Sequence, residues 1–306
     1  MLSNICYVVL MALTWPLARL PRKLGLALGA AAGGLYYRLS RRRRQIALDN
    51  IREAVKNGAL EPDLDPEATA RKSFQNLGRI AMEAFRLIHF GAEDFNGLCT
   101  ISGSESFKAW QASHAPGEPG LIFVTAHMGN WELACQVMPR DLEFIVTSVG
   151  KRQSPAVRKL LFSLRARNGN SFVAVNGGAK VMYETLKGGG LIGTLFDQAH
   201  TVGPGGAWLD FMGRPAQTTL GPLKLAAKTG AKLVLLFSHR EGLRHYFDLG
   251  PVMDPPPAKD QERLMAMALE FNRELARYIR LWPDQWMWGH RRWRTPPPDI
   301  SSPSAS

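Results

Sequence analysis

His127 and Glu132 stand five residues apart in the stretch LIFVTAHMGNWELA, residues 121–134. An imidazole and a carboxylate can manage a proton near neutral pH, but only if the two side chains meet. In a helix this spacing turns them about 140° apart around the axis. In a continuous strand it sends them to opposite faces. A strand that ends at the histidine and turns into a helix brings them together. LIFVTA reads as a buried strand and HMGN as a turn in which Gly129 allows the change of direction. WELACQVM then reads as a helix with Asn130 as its N-cap. His127 thus falls at the carboxyl end of a strand, where open α/β sheets place their ligands. Glu132, in the first helical turn, can fold back toward the ring. A carboxylate on one ring nitrogen leaves the other free to take a proton from a hydroxyl.

Other chemistries find less support. No pair among His89, His114, His127, His200, His239, His245 and His290 has the H-E-x-x-H spacing of a helical zinc site, so no metal is expected. The nearest approach to a serine nucleophile motif, SGSES at 102–106, lacks the second glycine, and NGGAK at 176–180 is a poor phosphate loop. Cys6, Cys99 and Cys135 are odd in number and widely spaced, which suits a reducing compartment.

Three further blocks carry polar groups. KRQSPAVRKLLFSLRARNG puts Arg158 and Arg165 on one helical face, with Arg167 close by. It is either a solvated charged face or a guanidinium fork for phosphate or oxyanion charge. LFDQ ends a strand with Asp197 and Gln198; a glycine-rich loop, the short hairpin or strand WLDFMGRPA, and a helix capped by Thr218 or Thr219 follow. Arg240 ends a later strand. WPDQWMWGHRRWR concentrates tryptophan and basic residues, suited either to core packing or to an oily, phosphate-bearing interface.

The surrounding pattern supplies the scaffold. RRRRQIALDNIREAV and PEATARKSFQNLGRIAMEAFRLIHF read as amphipathic helices. From residue 121 onward LIFVTA, LEFIVTSV, SFVAV, GLIGTLF and AKLVLLFSH read as strands, with helices at 131–138, 154–168, 178–187 and 218–229 between them. KDQERLMAMALEFNRELARYIRLW is a last helix. That alternation predicts an α/β fold, a mostly parallel central sheet flanked by helices. Met1 to Ala18 carries no charged side chain; Arg19, Arg22 and Lys23 follow, then the charge-free run Leu24 to Tyr37, then RLSRRRR at 38–44. Positive charge behind the apolar run is the reverse of a secretory signal. The two runs predict a membrane-anchoring segment, either a short span with an interfacial helix or two helices in the headgroup region, its arginines on the cytoplasmic face. A buried hairpin is the alternative. The expected organisation is therefore a membrane-associated helical segment over 1–44, one α/β domain over 45–295 and a disordered Pro- and Ser-rich tail over 296–306.

Lys and Arg number 38 against 26 Asp and Glu, a net charge of +12, which calls for an anionic partner. No nucleic-acid-reading motif accompanies that charge, and nucleic acid is not expected.

Taken together, AHMGNWEL, LRARNG, LFDQ, FMGRPAQTT and PDQWMWGHRRW, in that order, resemble the blocks of the bacterial lipid A late acyltransferases, the lauroyl and myristoyl transferases with an H-x-x-x-x-[DE] motif. The resemblance covers nearly the whole chain. It implies O-acyl transfer from acyl carrier protein, or acyl-CoA, to a hydroxyl of a lipid A precursor or related membrane glycolipid, within lipopolysaccharide biosynthesis. It implies an inner-membrane enzyme with its catalytic domain on the cytoplasmic side, an anionic membrane surface as partner, and no cofactor beyond the acyl donor. His127 would be the general base and Glu132 would orient it. Arg165, with Arg167, or the N–H groups opening the 131–138 helix would meet the oxyanion. Asp197, Gln198 and Arg240 would bind substrate. A similar enzyme acting on another glycolipid or phospholipid, a membrane-associated lipid hydrolase, and a nonenzymatic membrane- or nucleic-acid-binding protein are the alternatives.

Overall fold

The computed structural model describes residues 2–150, 170–174, 178–199 and 205–293. Arg165, Arg167, the helix expected at 154–168 and the tail at 296–306 lie outside the described residues.

Four helices come first: α1 (Leu2–Ala18), α2 (Arg22–Leu39), α3 (Arg41–Lys56) and α4 (Pro66–Phe90). The α/β part follows as β1 (Cys99–Ser102), α5 (Glu105–Ser113), β2 (Leu121–Thr125), α6 (Trp131–Asp141), β3 (Val146–Gly150) and β4 (Ser171–Ala174). It continues through α7 (Ala179–Lys187), β5 (Leu191–Leu195), β6 (Gly206–Phe211), β7 (Arg214–Thr219), α8 (Gly221–Thr229), β8 (Lys232–Glu241), β9 (Arg244–Leu249) and α9 (Gln261–Leu281). Seven strands form one sheet in the order β1-β9-β8-β2-β5-β3-β4, with β6 and β7 as a separate hairpin. β2 pairs parallel with β5 and β8, and β3 parallel with β4 and β5. β9 runs antiparallel to β8 and carries β1 with it, so the sheet is parallel except at that side.

β2 is central, and its Leu121–Val124 run is buried on both sides, which explains an apolar run with no alternation. Ile122 and Val124 join the core beneath α8 and α9, with Leu223, Ala226, Phe271 and Leu275. Leu121 and Phe123 face α5, α6 and the end of α4, with Phe107, Leu133, Val137 and Leu87. The hydrophobic layers lock the register, and the register brings the carboxyl ends of β2, β5 and β8 to one edge.

Several boundaries differ from the sequence reading. β3 starts at Val146, because Leu142 and Glu143 form the turn that closes α6, with Glu143 at φ 53°. β1 and β9 escaped the reading: they lie at one side of the sheet, and their half-exposed, alternating residues lack a solid apolar run. Thr218 and Thr219 belong to β7 and do not cap a helix; α8 begins at Gly221 after Leu220. The β6–β7 hairpin turns at Met212 and Gly213, both at positive φ, the geometry of a two-residue turn that follows the sheet twist.

Among the described residues no helix is long and apolar enough to cross a membrane. α2 docks on α4 almost backbone to backbone. A Cβ on Gly78 would sit 1.9 Å from the Gly29 carbonyl oxygen, and one on Gly33 2.1 Å from that of Phe74. The small residues of LGLALGAAAGG are thus a packing surface, and α3 runs unbroken through residue 44. The outward face of α1 and α2 remains apolar: Val8, Leu13, Trp15, Leu24, Leu28, Leu35 and Leu39 are exposed.

Candidate active site

The turn after β2 is built as its residues require. Gly129 has φ 59°, and a Cβ there would lie 2.2 Å from the Ser238 carbonyl oxygen of β8, so glycine is needed for both conformation and space. Asn130 caps α6, its side-chain oxygen accepting from Leu133 N at 3.0 Å. Its amide donates to Glu83 Oε2 of α4 at 2.7 Å. The segment after α9 straps the turn from the other side. Met287 N donates to the His127 carbonyl at 3.1 Å, Gly129 N to that of Gln285 at 3.2 Å, and Met128 bridges Trp286.

His127 emerges from this turn with its side chain 17% exposed. Its Nδ1 lies 2.8 Å from Asp197 Oδ1, at the end of β5, and its backbone N–H donates to Asp197 Oδ2 at 3.1 Å. Trp286 Nε1 donates to the same Oδ2 at 2.9 Å. Burial alone would raise the Asp197 carboxyl, but the charge and hydrogen bonds of His127 with the Trp286 indole outweigh it and bring the group down to about 2. An ionised Asp197 accepts only, so Nδ1 carries a proton, and in the neutral ring Nε2 is then the acceptor. Gln198 Nε2 lies 3.3 Å from that nitrogen, in position to donate to it. Trp131 stands edge-on to the imidazole, ring centres 5.0 Å apart.

The sequence reading gave the orienting role to Glu132, and here the geometry corrects it at Nδ1. That atom is held by Asp197, while Glu132, in the first turn of α6, accepts from Trp131 Nε1 at 3.2 Å. Asp197 was expected to bind substrate. It is 2% exposed with both oxygens engaged behind the histidine, which leaves it no face toward a ligand. Arg240 is likewise placed inside: its Nη2 donates to Glu83 Oε2 at 2.6 Å, and His245 Nε2 lies 2.9 Å from Glu83 Oε1. Burial lowers the Arg240 guanidinium, with Glu83 opposing. This ion cluster supports Asn130 and the turn from beneath. Gln198 is the substrate-binding candidate that does face the open side of His127.

The residues missed were Glu83 and Trp286. Glu83 had a visible signal, a carboxylate on the apolar stripe of its helix between Ile80 and Leu87. The WPDQWMWGHRRWR tryptophans prove to be core: Trp286 and Trp288 are 1% and 0% exposed. Arg292 is buried with them, donating to Gln217 O at 2.5 Å and Thr218 Oγ1 at 2.8 Å, and burial holds it near a pKa of about 10. Among the described residues no group of His, Cys, Asp or Glu could hold a metal ion.

Two openings each include a residue that touches His127, Trp131 in one and Gln198 in the other. An apolar pocket on the α6 side of the sheet is lined by Phe123, Thr125, Trp131, Cys135, Met138 and Leu195 among others. A wider cleft of about 690 Å³ opens past Gln198 toward α2 and α3. A partly exposed imidazole backed by a buried carboxylate, its neighbour Trp131 lining an oily pocket, is equipment for taking the proton of a hydroxyl beside a lipid chain.

That description has a family. A model of the bacterial lipid A biosynthesis acyltransferases matches residues 1–295, and the chain belongs to that family. It is an acyltransferase. It is 25% identical over 298 residues to the lipid A biosynthesis lauroyltransferase of Escherichia coli strain K12, covering 94% of this chain and 91% of the relative. It is also 25% identical over 237 residues to the phosphatidylinositol mannoside acyltransferase of Mycobacterium tuberculosis, covering 74% and 72%. Among solved structures it is similar to the 1-acyl-sn-glycerophosphate acyltransferase of Thermotoga maritima over 84% of this chain and 97% of that one. With 14% identity and a TM-score of 0.37, that likeness is too slight to argue from.

Proposed function

We propose that the enzyme transfers a fatty acyl chain from acyl carrier protein or acyl-CoA to a hydroxyl of a lipid A precursor or related glycolipid, with His127 as general base. The observation that carries this reading is the His127 ring, held at Nδ1 by Asp197, with Trp131 of the apolar pocket edge-on to it and Gln198 of the polar cleft at Nε2.

The acyl chain lies in the apolar pocket with its thioester carbonyl at the mouth. The acceptor hydroxyl replaces the Gln198 amide at Nε2 and gives up its proton there as its oxygen attacks the carbonyl carbon. The tetrahedral oxyanion collapses, the C–S bond breaks, and the departing thiolate takes the proton back from the imidazolium. Ionised Asp197 stabilises that imidazolium, and such general-base assistance is worth roughly 10²–10⁴ in rate. Glu132 braces Trp131 against the ring. N–H groups at the start of α6, or Arg165, meet the oxyanion. In this reading the enzyme rests on an anionic membrane surface at the cytoplasmic face of the inner membrane, a placement supported by the exposed apolar face of α1 and α2 and by the arginines from Arg38 to Arg44.

The test is acceptor mass spectrometry. Purified protein in detergent receives lauroyl-carrier protein or lauroyl-CoA with a Kdo-bearing lipid A precursor. A gain of one acyl mass, lost in His127→Ala, is expected. Free fatty acid with an unmodified acceptor would point to a hydrolase, and acylation that persists in His127→Ala would overturn the mechanism.

A further inference from the structure

The cleft past Gln198 joins two basic runs that are almost the whole chain apart. Arg42 and Arg43, in the first turn of α3, form one wall; His290 and Arg291, after the buried tryptophans, form another; Tyr36 of α2 stands at its rim. Arg43 Nη1 donates to the Gly289 carbonyl at 2.9 Å and pins the walls together, and Asn50 of α3 donates to the carbonyls of Trp288 and His290 at 2.9 and 2.8 Å. The convergence is therefore built into the fold. It is not a chance meeting of surface side chains.

No Asp or Glu is among the described residues lining the cleft, and none of them pairs with Arg42, Arg43 or Arg291. The positive charge is also placed against local preference. Four arginines occupy the first turn of α3, where the helix dipole is already positive, with no acidic residue there and no side-chain cap from Ser40. An anion in the cleft would relieve both repulsions at once, with guanidinium forks suited to the oxygens of a phosphate.

We propose that this cleft is the binding site for the phosphate-bearing headgroup of the acyl acceptor, gripped by Arg42, Arg43 and Arg291. The proposal deepens the function proposed above and rests on it for the word acceptor. Two features favour the acceptor over the donor's phosphates. Gln198 belongs to the cleft lining and also reaches His127 Nε2, so a headgroup held there presents its hydroxyl to the base. The cleft is also lined by Tyr36, Ile46, Phe74 and Leu77, and the helix that supplies Tyr36 exposes Leu35 and Leu39, as a lipid entering from a bilayer needs and a water-soluble carrier does not.

Binding separates the site from turnover. Wild-type protein in detergent is titrated with a glucosamine-disaccharide lipid bearing phosphate monoesters, with the same lipid after phosphatase treatment, and with lauroyl-CoA. Arg42→Gln and Arg291→Gln follow; both arginines are exposed, and unchanged circular dichroism checks the fold. The phosphorylated lipid should bind at least tenfold tighter than its dephosphorylated form. Each variant should lose roughly tenfold for the phosphorylated lipid alone and nothing for lauroyl-CoA. Equal affinity of wild type for the two lipids, variants that keep the wild-type preference for the phosphorylated lipid, or a loss confined to lauroyl-CoA would overturn the assignment. Because no step needs acyl transfer, phosphate-dependent binding can stand even if the acceptor assay fails, and the reverse.

Discussion

Among the described residues two buried carboxylates are each hydrogen-bonded to a histidine, and only one of the two histidines has a ring nitrogen beside a cleft residue. Asp197 and Glu83 are each 2% exposed and each gathers several donors; both are held below the usual carboxylate range against the opposing pull of burial. The histidines differ. His127 has a side chain 17% exposed and keeps its second nitrogen beside Gln198 of the cleft, whereas His245 is 1% exposed at its side chain and closed in by Phe95 and Phe247. The chemistry of the pairs is alike, and access separates them. Pairing orders a histidine; the position of its other nitrogen, at the carboxyl ends of β2 and β5 or deep under α4, decides whether it can act.

The contrast predicts opposite phenotypes. His127→Ala should lower kcat by roughly 10²–10⁴ and destabilise less than Glu83→Ala, since Asp197 keeps the Trp286 indole, read by acceptor acylation and urea denaturation together. Glu83→Ala should do the reverse in its first effect, costing about 3–5 kcal/mol because it strands the buried Arg240 guanidinium, measured by urea unfolding. Equal stability losses in the two variants would erase the distinction. A third effect lies in the scaffold. Gly78→Ala pushes a methyl into the Gly29 carbonyl and should destabilise by about 1–3 kcal/mol, with the α1–α2 hairpin loosened and more open to protease.

A subtler sharpening comes from pH. The Asp197 carboxyl is lower in the folded protein than its ordinary value, so the unfolded chain binds the proton more readily. Its contribution, about 2 kcal/mol, is then full above about pH 4 and is lost as pH falls toward 2. Urea midpoints across that window should fall more steeply for wild type than for Asp197→Asn.

How much of this the sequence disclosed depends on the range of the contact. The strand, turn and helix around His127 were legible because Gly129, Asn130 and the apolar run are local signals. Asp197 was visible as a polar residue ending a strand, but its partner was not. It lies 70 residues from His127, and only the placement of β5 beside β2 brings them together. Glu132, near in sequence, was assigned the carboxylate's role because spacing along the chain was the available ruler. The cleft was less legible still, since the Arg43–Gly289 bond spans 246 residues. β1 and β9 were missed because strands at one side of a sheet bury less and so show weaker patterns.

The most direct test of the central claim, that Asp197 and not Glu132 fixes the catalytic imidazole, is the single-turnover rate of acyl transfer in Asp197→Asn beside Glu132→Gln. Asp197→Asn, whose amide no longer favours the Nδ1–H form, should lose at least about a hundredfold, and Glu132→Gln much less. A near-normal rate in Asp197→Asn with a collapse in Glu132→Gln would contradict it.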